Sequence, residues 1–151
     1  MYLIVSENNL TIECITEDLL SAFPELLDPL WNKFNTYYSV ESGTPEETPD
    51  AYPVFEGVMK PFVFELLANG SNDALLARFF LFFEKMAVSP DVNVSRDLLG
   101  IAIVDPLSYK KEKLKQAWKF MGPNLKRLAI ETARERGWQE NPPASDTRGR
   151  I

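Results

Sequence analysis

Apolar residues recur at three- and four-residue intervals along most of this chain, and short polar stretches bearing glycine or proline separate the runs. From Thr16 onward, Leu19, Leu20 and Phe23 share one helical face, with Thr16 placed to cap it and Glu17 and Asp18 at its positive end. Leu26, Leu27, Leu30, Trp31 and Phe34 repeat the spacing and predict a second helix from Glu25 to about Tyr38; Pro29 inside it either kinks it or shifts its start. Residues 39–53 hold three prolines, four acids and no base, and read as a long acidic loop. Phe55, Val58, Met59, Phe62, Leu66 and Leu67 then form a helical stripe interrupted at Pro61, where a kink or a new start would satisfy the proline, and Gly70 stops it.

The stretch 73–87 carries two adjacent stripes, Leu75, Phe79, Phe82, Met86 and Leu76, Phe80, Phe83, so this helix is expected to sit between neighbours. Ser89-Pro90 suits the cap and first residue of the next element, whose apolar run Leu98 to Val104 reads as a buried helix, with a buried strand as the alternative. Asp105-Pro106-Leu107-Ser108 is read as a turn. Ser108 caps a helix with Leu114, Ala117, Trp118 and Met121 inward, and Pro123 opens a last helix with Leu125, Leu128, Ala129 and Thr132 inward. Gly137 supplies its stop and lets Trp138 fold back onto Ala133, and the polar stretch 139–151 is expected to be a disordered tail. At the other end, Met1–Val5 and Leu10–Ile15 read as short strands or as an extended lead-in. The expected fold is therefore all-α, with helical hairpins stacked antiparallel in a single domain over residues 1–138 and an optional short N-terminal β segment.

Composition supports a packed core: 151 residues are 45% hydrophobic and 12% aromatic. The N-terminal apolar run is too short and lacks the flanks of a secretory signal, and no run approaches the ~20 residues of a membrane span, so a cytoplasmic protein is expected. Charge is distributed unevenly. Residues 1–59 carry eleven acids against Lys33 alone, a net of −10, whereas 60–138 carry thirteen bases against nine acids, a net of +4. Such asymmetry points to a partner for one half, or to two independently solvated faces.

Chemistry is sparse. The chain has no histidine and a single cysteine, Cys14, which removes the commonest general base and metal ligand and leaves no zinc set. No nucleophile elbow, phosphate-binding glycine loop or metalloprotease motif is present. Glu65 and Glu84 are not brought together by any spacing, and Cys14 has no base beside it. No catalytic residue, metal or cofactor is expected, and the protein is read as a non-enzyme. The basic run Lys110, Lys111, Lys113, Lys115, Lys119, Lys126 and Arg127 is broken by Glu112 and belongs to an acidic protein, so a solvated face is preferred to nucleic-acid binding. The acidic side is the better candidate: Tyr37, Tyr38, Glu41, Glu46, Glu47, Asp50, Tyr52 and Glu56 combine rigid aromatic contact area with charge that speeds encounter with a basic partner.

The segment from Val54 to Leu67, the run Leu76 to Ala87, the stretch Leu98 to Leu107, and Met121-Gly122-Pro123 with its closing helix together resemble a group of small bacterial helical proteins, mostly of unknown function, associated with immunity proteins encoded beside polymorphic toxins. The resemblance covers about residues 54–137 and lies in the spacing of elements. It implies a HEAT-like helical stack, or an irregular bundle, without enzymatic activity. Taken with the −10 half, the absence of catalytic machinery and the missing export signal, it leads to the expectation of a cognate toxin domain as protein partner, its basic cleft occluded by the acidic surface. The alternative is a helical adaptor or regulator that contacts a protein or peptide through the basic helix 109–127.

Overall fold

The computed structural model describes residues 10–35 and 49–135, and these are helical with no strand among them. Seven helices follow in order: α1 (Ile15–Ala22), α2 (Leu27–Phe34), α3 (51–69), α4 (Asp73–Ala87), α5 (93–108), α6 (Lys111–Trp118) and α7 (Pro123–Glu135). The fold is all-α, as the periodicity predicts.

Two long helices absorb a proline by the same device. In α3 the Lys60 N–H reaches back five residues to the Phe55 carbonyl, and Pro61 follows directly. In α5 the Asp105 N–H reaches back five residues to the Gly100 carbonyl, and Pro106 follows. An α-helical ladder would need an N–H that proline lacks and would press its ring on the carbonyl four residues earlier; a widened π-turn just before the ring relieves both. Helix α5 therefore continues through Asp105–Ser108, which corrects the expectation of a turn there. Ser108 is buried inside it and donates from Oγ to the Val104 carbonyl at 2.8 Å, so it does not cap α6.

The remaining boundaries follow local chemistry. A 3-10 turn over Pro24–Leu26 precedes α2, so Pro29 falls in the first turn of that helix, where a missing N–H costs little. Asn35 ends α2 with left-handed backbone, φ 57°, and Gly70 does the same for α3 at φ 62°. Asn72 caps α4 by accepting from the Leu75 N–H at 3.1 Å. Thr16 is buried within α1, whose N-cap position is Cys14. Residues 10–15 are not a strand: the Leu10 carbonyl accepts from Ser89 Oγ at 2.6 Å and the Ile12 N–H donates to Asp91 Oδ2 at 2.9 Å, so both are committed to the α4–α5 turn. Asp91 Oδ1 also accepts from the Asn93 N–H, which gives Asp91 the helix-starting role expected of Ser89.

One hydrophobic core runs through the molecule. Helix α3 touches α2, α4, α5 and α6, and α7 closes over α4 and α5. The widest buried face belongs to α4, where Leu76, Phe79, Phe80, Phe83 and Met86 are all essentially inaccessible. This is the helix that the double stripe places between neighbours. Its rings organise the centre: Phe79 stacks on Phe23 at 4.0 Å and lies 5.9 Å from Phe62, while Phe80 meets Phe83 edge-on at 5.1 Å.

Asp18 carries a consequence for acid stability. Burial, and then the neighbouring Glu17 charge, raise its carboxyl above the ordinary 3.8. The native state thus binds this proton more tightly than the unfolded chain, and Asp18 contributes stability as pH falls through its raised pKa. Asp18→Asn is expected to be stabilised relative to the parent at neutral pH, with the difference closing as pH falls toward 3.8. Urea midpoints across that range would measure it, and a constant difference would contradict it.

Candidate functional site

The acidic side that the sequence singles out is built on the first turns of α3. The helix starts at Ala51, so Ala51, Tyr52 and Pro53 belong to it and not to the preceding loop. Of the eight residues expected to bind a partner, Asp50, Tyr52 and Glu56 are described; Tyr37, Tyr38, Glu41, Glu46 and Glu47 lie outside the described residues. Asp50 is exposed at the N-cap position and its side chain makes no cap bond. Tyr52 is half-buried against the core, and Glu56 stands one turn further along the same helix.

A residue from another helix joins them. Burial raises the Tyr52 phenol above its ordinary value of 10.0, and the Asp97 and Glu56 carboxylates add to the effect. Asp97 belongs to α5. It also lines an open groove of about 320 Å³ between α5 and α7, together with Arg96, Gly100, Thr132, Glu131 and Glu135. Asp97 thus stands within electrostatic reach of Tyr52 and also lines the groove. Gly100 leaves the groove wall bare, since a Cβ built there meets nothing within 4 Å. Three acids against Arg96 make the groove receptive to a cationic side chain. The sequence offers no local signal for it, because Asp97 and Glu131 converge only through the packing of α7 on α5.

The basic helix is partly engaged by its own molecule. Lys113 lies 5.4 Å from the Phe64 ring centroid, Lys119 5.1 Å from that of Phe120, and Lys126 5.1 Å from that of Trp118. Lys119 also reaches Asp73 at 3.4 Å. Each ring holds an ammonium against apolar surface.

Of the remaining candidates, Glu84 has a structural role. Glu65 is exposed. Glu84 spends both carboxylate oxygens on the start of α7: Oε2 accepts from the Asn124 N–H and Nδ2, and Oε1 accepts from the Leu125 N–H, all within 2.9 Å. Arg78 pairs with Glu25 at 2.8 Å, donates to the Ala22 carbonyl and lies over Phe23. The hydrogen bond from Arg78 lowers the Glu25 carboxyl below its usual value. Cys14 is exposed. Among the described residues no group of acids and thiols is arranged to hold a metal, and no helix is long and apolar enough to cross a membrane.

Residues 16–139 match the family described as a domain of unknown function, DUF7674. No curated protein and no solved structure matches the chain.

Proposed function

The chain belongs to the DUF7674 family, whose description assigns no activity, and from that premise we propose that it is a cytoplasmic immunity protein, a non-enzymatic module that binds a cognate bacterial toxin. Its acidic, aromatic-bearing side covers the basic cleft with which the toxin holds an anionic substrate, and inhibition is by occlusion. The observation that carries the reading is the acidic lining of the α5–α7 groove, Asp97, Glu131 and Glu135 against Arg96, with Tyr52 within electrostatic reach of Asp97. The groove presents a recess that a lysine or arginine of the partner can enter. Complementary charge of this kind accelerates association and selects a basic partner.

The alternative, an adaptor or regulator working through the basic helix, draws on the exposed Lys110 and Lys115. It is weakened by the attachment of Lys113, Lys119 and Lys126 to their own aromatic rings.

Tagged protein used as bait in lysate of its own host separates the two. The expected result is one stoichiometric basic protein, toxic when expressed alone, and growth restored by co-expression of the wild type but not of Asp97→Lys/Glu131→Lys. A partner that is harmless alone, or rescue by the charge-reversed variant equal to the wild type, would overturn the immunity reading. Loss of capture on Lys115→Glu would favour the adaptor.

A further inference from the structure

A second recess, of about 380 Å³, lies between the α3–α4 turn and α6. We propose that it binds a small carboxylate joined to a compact apolar body. The inference is independent of the acidic surface, which is built on other residues.

The volume falls in the range of small-molecule sites, which combine an apolar lining with a few polar groups that fix orientation. Leu67, Leu76 and Phe120 supply the apolar lining. Lys115 on α6 and Lys119 just past its end, four residues apart, supply two ammonium groups against one carboxylate, Asp73. Recess and ligand are thus complementary in charge.

The position of Lys119 matters most. Its ammonium lies over the Phe120 ring at 5.1 Å, held where the apolar lining meets solvent. Its ion pair with Asp73 is long, at 3.4 Å, and both side chains are more than 60% exposed (67% and 63%). Exposed pairs of that geometry contribute little, so an incoming carboxylate can take the place of Asp73 without a large penalty. The wide basic stretch alone would suit any polyanion. The apolar lining beneath two lysines favours an anion with a hydrophobic body.

The test is titration of the full ¹⁵N-labelled chain with hexanoate, with methyl hexanoate as the uncharged analogue and inorganic phosphate as the bare anion. Hexanoate is expected to give saturable amide shifts confined to residues 67–76 and 115–120, with methyl hexanoate and phosphate each at least about tenfold weaker. Lys119→Gln is expected to weaken hexanoate about threefold, and Asp73→Asn to tighten it, with amide positions elsewhere unchanged as proof of folding. Phosphate binding as well as hexanoate would overturn the role of the apolar lining. Methyl hexanoate binding equally would overturn the role of the lysines. No shift up to about 10 mM would overturn the site, since that limit leaves less than about 3 kcal/mol of binding.

Discussion

Replacing Phe79 with alanine is expected to cost about 3–5 kcal/mol, the range for deleting a fully buried aromatic side chain. Phe79 is 0% exposed, stacks on Phe23 at 4.0 Å with the rings 5° from parallel, and also touches the ring clusters of Phe62 and Phe83. It joins three separate parts of the chain: the end of α1, the middle of α3 and its own helix. The truncation therefore removes ring contacts to elements distant in sequence and leaves a cavity that no single neighbour can fill. Since small domains have only about 5–15 kcal/mol of net stability, the variant should unfold at a much lower urea concentration. Leu81, on the same helix but 59% exposed, is the control, and Leu81→Ala should change stability by no more than about 0.5 kcal/mol. Similar midpoints for the two variants would place the core elsewhere.

The second large effect concerns Glu84 and Gly122. Glu84 acts as a detached cap: its carboxylate takes the first free N–H groups of α7, where Pro123 has none to offer. Glu84→Ala leaves those donors unpaired in half-buried surroundings and is expected to cost about 2–3 kcal/mol. Gly122 makes the approach feasible, because a Cβ there would stand 2.6 Å from Glu84 Cδ and 2.7 Å from Oε1. Gly122→Ala should therefore displace the carboxylate and lose much of the same stability, about 1–2 kcal/mol. The two losses share one cause, so they should not add. In the Glu84→Ala background, Gly122→Ala should be close to neutral. Additive losses in the double-mutant cycle would show that Gly122 serves some other purpose.

Helical spacing made most of the fold legible. The double stripe on α4 and the run Leu125, Leu128, Ala129 on α7 needed nothing beyond a 3.6-residue period. Proline was the main source of error. Pro106 reads as a break because a regular helix cannot hold it, yet the π-turn over Gly100–Val104 absorbs it and α5 runs on to Ser108. Proline alone marks the place, and the sequence does not say whether the chain breaks there or widens by one residue. Ser89 was legible as a polar residue at a turn but not as the anchor of Leu10, since its partner lies 79 residues away. The candidate site divides the same way. Asp50, Tyr52 and Glu56 are candidates from their local clustering alone, whereas Asp97, Glu131 and the bare wall at Gly100 come together only when α5 and α7 pack.

The central claim is that the acidic α5–α7 groove meets a basic partner. The most direct measurement is the association rate constant of the captured partner with wild-type protein and with Asp97→Lys/Glu131→Lys, each over a series of salt concentrations. The predicted result is a wild-type rate that falls steeply with salt and a variant rate at least about tenfold slower at low salt, the two converging as the field is screened. Equal rates at low salt, with no dependence on ionic strength, would contradict it.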